Sequence, residues 1–407
     1  MIDKRIAKRI ISLCAEDKFK NNPAFYLYDL VSVKKQLGYL EKFLPKNVSV
    51  YYAMKANPHK EVLRFLSEHK RCNGIEIASK GELDKALKYF NAENICFTGP
   101  GKTIYELKAS LDSSIELINL ESLTEARRIN EIAESKCKVV DVLIRVNSNY
   151  CVHGATSTNM AGLSTKFGIE EDDLIGSIKI IQKEMPFIKI KGFHVFGASG
   201  IMDSDVLIDY TNSVLDLVSN VEKEVNIKAE IIDLGGGFGI DYTKKNQIFD
   251  LESYSSHLKE SIDKLGYNDR KIILELGRYI VGECGYYCSE ILDIKESKGK
   301  KYIIMSGGVN HLNRPNVTGE NQPIEIIPRD EEQFPNIMNI SGEIVDVCGP
   351  LCFAEDKLGK KIFIKSAKIG DILVVTKAGA YGCTGSPLDF LSHPHPEEYY
   401  ETITEDE

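Results

Sequence analysis

Between residues 34 and 280, short runs of β-branched and aromatic residues alternate with polar stretches in which apolar residues recur at helical spacing. That alternation predicts βα units. Eight runs qualify as strands: VSVYYAM near 48–54, GIEIA near 74–78, NICF near 94–97, IELIN near 115–119, VVDVLIRV near 139–146, IKIKGFHVF near 188–196, AEIIDL near 229–234 and KIILEL near 271–276. Eight such units predict an α/β fold, a (β/α)8 TIM barrel over residues 34–279. After about residue 280 the helical spacing stops, and YYCSEILDIKES, KYIIMSG, EIVDVCG and DILVVTKAGAY follow one another between Gly, Pro and Asn turns. This part, residues 280–407, predicts a C-terminal β-sandwich or β-barrel domain. Residues 1–33 are assigned to it, because AFYLYDL at 24–30 is strand-like and precedes the first barrel strand.

A length of 407 residues exceeds what one hydrophobic core usually serves, which agrees with two domains. The net charge of −9 is spread along the chain apart from a short acidic tail, Glu397, Glu398, Glu401, Glu405, Asp406 and Glu407. The tail reads as a solvated terminus, and the missing basic face argues against nucleic acid as a partner. No apolar run approaches the roughly 18 residues a membrane helix needs. The opening MIDKRIAKRIISLCAEDKFK reads as a basic amphipathic helix without a cleavage site, so a cytoplasmic location is expected. Ten scattered cysteines suggest free thiols. The pairs Cys284/Cys288 and Cys348/Cys352 lack zinc-site spacing, and His393 with His395 is isolated, so no metal is expected.

Three features carry chemistry. Lys55, in VYYAMKANP, sits at the end of the first predicted strand, and C-terminal strand ends form the active face of such barrels. By itself it also reads as a solvated lysine. LGGGFGIDY at 234–242 follows the seventh strand and is expected to lead into a helix, a loop suited to a phosphate or equally to a tight turn. LELGRY ends the eighth strand with Glu275 and Arg278, which suit a ring nitrogen and a phosphate, or a structural ion pair. All of them fall at predicted strand ends of one barrel.

With YYAMKAN at 51–57, IEIASKGEL at 75–83, ES at 121–122, RVN at 145–147, KFG at 166–168, LGGGFGI at 234–240, ELGR at 275–278, CGPLC at 348–352 and AGAYG at 378–382, the chain resembles the fold-type III pyridoxal-phosphate enzymes. This is the group of alanine racemase and of the ornithine and diaminopimelate decarboxylases. The resemblance implies that Lys55 binds pyridoxal 5′-phosphate covalently, that Gly235, Gly236, Gly237, Arg278 and Ser199 hold its phosphate, and that Glu275 faces the pyridine nitrogen. It places His194 beside the cofactor and Tyr381 at the phosphate or the substrate. Cys352 then enters the neighbouring subunit's site and returns a proton to the substrate carbon, in an obligate homodimer with shared sites. A carboxylate at the ring nitrogen favours decarboxylation over racemisation. A racemase or epimerase on the same scaffold, or a non-catalytic cofactor-binding regulator, are the alternatives.

The chain also departs from the pattern. Phe196 takes the ring-stacking position, which is a histidine in ornithine and diaminopimelate decarboxylases. Phe353 and Ala354 separate Cys352 from Glu355 and Asp356, which argues against a simple diamine acid. Asp356 is assigned to the substrate. Arg314, in HLNRPN, suits a substrate carboxylate or a surface ion pair. With FLSHPHPEEYY and YLYDL, the resemblance is strongest to decarboxylases of siderophore and antibiotic pathways. It therefore implies a substrate rich in carboxylates or tethered to a carrier protein.

Overall fold

The computed structural model describes residues 2–152, 158–159, 162–243, 247–329 and 338–403, so Glu405, Asp406 and Glu407 lie outside the described residues. The chain divides into two units, one of residues 36–240 and 248–279, the other of residues 1–35, 241–247 and 280–407.

In the first unit, all eight predicted strands form: β1 (Val48–Ala53), β2 (Cys72–Ile77), β3 (Ile95–Phe97), β4 (Leu117–Leu120), β5 (Val140–Asn147), β6 (Ile188–Val195), β7 (Ile231–Asp233) and β8 (Lys271–Leu276). Each pairs in parallel with the next and β8 pairs with β1, so the sheet closes into a barrel. The strands are buried nearly throughout because helices cover the outside and side chains fill the inside, which is why they read as apolar runs. Tyr51, Cys96, Leu117, Leu143, Ile231 and Ile273, from six of the strands, form one buried cluster.

Polar residues close the βα turns. The Ser79, Thr103 and Ser122 side chains accept the backbone N–H of Glu82, Glu106 and Glu125, and Glu106 returns the bond to Thr103. Such caps are worth about 1 kcal/mol each, and here they fix the chain just beyond the strand ends.

One local expectation is corrected. The glycine loop after β7 does not lead straight into a helix, since the next helix begins only at Leu251. Residues 241–247, in between, belong to the other unit. Phe238 anchors the loop instead, stacking on Phe249 at 4.6 Å and meeting Tyr254 and Tyr279 edge-on. Any anion held here is bound by loop amides and not by a helix dipole.

The second unit is built on a mixed sheet running Ile324–Ile327, Ile372–Thr376, Gly285–Ser297, Lys300–Met305, Ile340–Cys348 and Lys357–Ala367. Ala24–Asp29 joins it, antiparallel to Gly285–Ser297 and parallel to Glu397–Glu401. The N-terminal segment forms two helices, Lys4–Cys14 and Asp17–Asn21, and not one. Ile6, Ile10 and Leu13 pack with Phe25, Leu27, Cys288 and Val374, so the apolar face of the first helix is core. A five-residue helix, Arg314–Thr318, interrupts a region expected to be all strand, with Pro315 in its first turn. Among the described residues no helix is long and apolar enough to cross a membrane.

Candidate active site

Strand register gathers the polar side chains. Arg145 on β5, His194 on β6 and Asp233 on β7 are successive register partners, and Ala53 on β1 pairs with Glu76 on β2. A cavity of about 360 Å³ opens among Lys55, Glu76, Lys102, Arg145, Phe167, His194, Phe196 and Glu275. That volume lies within the usual ~300–1,000 Å³ of small-ligand pockets.

Lys55 stands in a short helical turn after β1. Its Nζ donates to Glu76 Oε2 at 2.6 Å, and Glu76 is buried to 1% exposure. The amine is therefore held at the cavity wall by a carboxylate that cannot turn to solvent.

Glu275 is buried, and its Oε1 has no hydrogen-bond partner among the described residues. Burial first, then the charges of Asp233 and Glu76, push its carboxyl well above the ordinary range. His194 Nε2 lies 3.6 Å from Glu275 Oε2. Asn119 Nδ2 donates to His194 Nδ1 at 3.0 Å, which leaves the ring proton on Nε2, facing Glu275. Burial, reinforced by Arg145, Lys55 and Lys102, holds His194 far below its usual range, so the pair is a neutral imidazole beside a carboxyl group and not an ion pair.

The remaining wall is braced. Arg145 Nη1 donates to Glu121 Oε1 at 2.9 Å while its guanidinium lies over the Phe167 ring at 4.3 Å. Lys102 is buried and donates to the Gly99 and Asn119 carbonyls and to Glu125, so its donors serve the protein. Phe196 lines the same cavity.

The glycine loop is tight. Gly235 and Gly237 have φ of 64° and 113°, and a Cβ on Gly236 would collide with the Glu275 carbonyl. Gly235 N–H donates to Asp233 Oδ1 at 2.9 Å, which corrects its reading as a phosphate ligand through its amide. The N–H groups of Gly236 and Gly237 have no protein acceptor among the described residues. Gly237 packs against Ala198, next to Ser199, and Arg278 Nη2 reaches Ser199 Oγ at 3.5 Å.

Tyr381, Cys352, Arg314 and Asp356 belong to the second unit. Tyr381 is half-buried at φ 54°, and Cys352 is exposed on its loop. Arg314 stacks on Tyr242 at 3.6 Å and pairs with Glu320 at 3.3 Å. Asp356 is corrected from substrate ligand to loop anchor: it is 3% exposed, and its two oxygens accept the N–H of Val309 and of Leu351, each at 2.8 Å. Asp356→Ala is expected to lower the unfolding free energy by about 2–5 kcal/mol, because two buried amides lose their acceptor, as urea denaturation would measure.

Glu76, Asn119, Arg145 and Asp233 carry no role in the sequence reading. Their signal is faint, polar residues inside largely apolar strands, and only closure of the barrel brings them together. The residues fit pyridoxal phosphate: an amine lines the cavity, a buried carboxyl oxygen lacks a partner, and unpaired loop amides stand near a serine and an arginine.

Residues 30–282 match the family described as pyridoxal-dependent decarboxylase, pyridoxal binding domain. The 2-[(L-alanin-3-ylcarbamoyl)methyl]-2-hydroxybutanedioate decarboxylase of Staphylococcus aureus is 34% identical over 383 residues, covering 94% of this chain and 95% of that protein. The L-glutamyl-[BtrI acyl-carrier protein] decarboxylase of Niallia circulans is 33% identical, covering 92% and 87%. Among solved structures, diaminopimelate decarboxylase from Helicobacter pylori complexed with L-lysine superposes with a TM-score of 0.82 at 28% identity, covering 94% of this chain and 92% of that one. The family match spans the barrel, and relatives a third identical span nearly all of the chain, so this protein belongs to the pyridoxal-dependent decarboxylases and is a pyridoxal-phosphate enzyme that decarboxylates an amino-acid substrate.

Proposed function

We propose that the substrate is an amino acid carrying further carboxylates or an acyl tether to a carrier protein, in siderophore or other secondary-metabolite synthesis. The two relatives named for a hydroxybutanedioate conjugate and for a carrier-bound glutamyl group support this reading. So does Arg314, a buried guanidinium whose partner Glu320 is 41% exposed and is replaceable by a substrate carboxylate. Arg314→Lys should raise KM at least tenfold with a smaller change in kcat, since one good charged contact is worth about 1.5–3 kcal/mol.

The observation that carries the chemistry is the joining of an amine, Lys55, and a buried carboxyl, Glu275, in one cavity. Pyridoxal phosphate, when bound, supplies an electron sink for the pair of electrons left as CO2 departs. Lys55 holds the cofactor covalently, and Gly236, Gly237, Ser199 and Arg278 hold its phosphate. Glu275 faces the ring nitrogen with His194 behind it, and Phe196 and Phe167 give the cavity apolar walls that exclude water. Cys352 delivers a proton to the substrate carbon from a second copy of the chain, in a cytoplasmic homodimer.

Purified protein tested for CO2 release on acidic amino-acid conjugates, free and carrier-bound, decides the substrate class. Turnover on diaminopimelate or ornithine alone would remove it. Cys352→Ala is expected to keep CO2 release but lose faithful return of the proton to the substrate carbon, read as less amine formed per CO2 released and as loss of one-sided deuterium incorporation when the reaction is run in D2O.

A further inference from the structure

Asp233 is the last residue of β7 and Glu275 the next-to-last of its neighbour β8, and both are buried, at 0% and 6% exposure. Ligand atoms of Asp233, Glu275 and Cys96 lie within 4.8 Å of one another, so the two buried carboxyl groups face each other at close range. Two buried carboxylates this close repel each other and can only accept hydrogen bonds, so the pair is satisfied when one proton lies between them. Asp233 Oδ2 and Glu275 Oε1 are buried and take no N–H or O–H from the other described residues. Asp233 Oδ1 already takes the Gly235 N–H, which suits the ionised form on Asp233 and leaves the proton to Glu275.

We propose that Asp233 is the positioning residue of Glu275: before cofactor enters, the pair holds a single proton on Glu275, hydrogen-bonded to Asp233, and this is the proton the ring-nitrogen position requires. Asp233 thereby ties the phosphate loop to the carboxyl that faces the ring. The proposal deepens the reading of Glu275 given above and rests on it for its meaning, though not for its test.

The surroundings support one proton and not none. Burial raises both carboxyls, and Glu76 on β2 raises both further. Lys55 opposes this for Glu275, and Arg145 on β5 for both. His194 on β6 is neutral. Cys96 on β3 donates its S–H to Asn119 Oδ1, and burial keeps it a thiol, while Tyr51 on β1 stays protonated for the same reason. No neighbour therefore delivers enough positive charge to ionise both members of the pair.

Infrared difference spectra of cofactor-free protein at neutral pH test this. Wild type minus Glu275→Gln is expected to show one carboxylic-acid C=O band. Wild type minus Asp233→Asn should show the same band, because the asparagine keeps an acceptor for Gly235 but donates to Glu275 and ionises it. A difference containing only ionised-carboxylate bands in Glu275→Gln overturns the proton, and a band that persists in Asp233→Asn overturns the pairing. The cofactor reading is checked separately, by borohydride fixation of the holoenzyme, so either can fail alone. The folded chain binds this proton more tightly than the unfolded one, so its stabilisation is present at acid pH and is lost as pH rises through the raised folded-state value. Cofactor-free wild type should accordingly lose melting temperature relative to Glu275→Gln on going from mildly acidic to mildly alkaline buffer, and parallel curves would count against the shared proton.

Discussion

Lys55→Ala is expected to abolish the covalent link to the cofactor and to lower turnover by roughly 10⁴–10⁶-fold, the range found when a covalent nucleophile is removed. Among the described residues lining the cavity, this amine is the one suited to bond an aldehyde, because Lys102, the other lysine there, is buried and donates to two carbonyls and a carboxylate. Lys55 itself is 42% exposed along its side chain, so the alanine leaves no buried hole and the fold should survive. Borohydride reduction followed by peptide mapping checks this directly: label at position 55 in wild type, none in the variant. Label at another lysine would overturn the assignment, and retained turnover would remove covalent chemistry at this position. A finer expectation concerns Glu76, which grips Lys55 Nζ at 2.6 Å from a buried position. Losing that grip should slow cofactor attachment without preventing it.

Much of this was legible in the sequence because barrel strands are buried on both faces and so read as unbroken apolar runs. Lys55, Glu275 and Arg278 stood out as charges ending such runs, where the C-terminal face of a barrel lies. Glu76, Asn119, Arg145 and Asp233 were harder to see, since a polar residue one or two places inside a strand acquires a purpose only when register sets it against its neighbours. Gly235 shows the converse. Its place in GGG suggested a phosphate ligand, while the structure commits its N–H to Asp233 two residues earlier, a short-range bond invisible to spacing alone. Asp356 was misread for a related reason: an acid after a reactive cysteine looks like a ligand until its two oxygens are found on backbone amides.

Glu275→Gln is expected to reduce kcat by about 10²–10³-fold, the loss typical of removing one preorganised electrostatic partner, with unfolding stability close to wild type. The combination follows from the state of the buried pair. Glutamine has the shape of a protonated glutamate and offers an N–H where the carboxyl offered an O–H, so it satisfies Asp233 in the cofactor-free protein. It cannot, however, surrender that proton and remain as a negative charge facing a cationic ring nitrogen. The loss therefore falls on the transition state, and kcat and kcat/KM should drop together while cofactor affinity changes less, since the proposed phosphate ligands, Ser199, Arg278 and the loop amides, are untouched. Steady-state kinetics of CO2 release, with melting curves of the same preparations, separates this outcome from simple unfolding. If kcat were unchanged in a folded, cofactor-loaded Gln variant, the carboxylate would be irrelevant to the electron sink and the resemblance to decarboxylases at this position would be one of packing only. Asp233→Asn should lie between the two, because it alters the partner of Glu275 and leaves the group facing the ring in place.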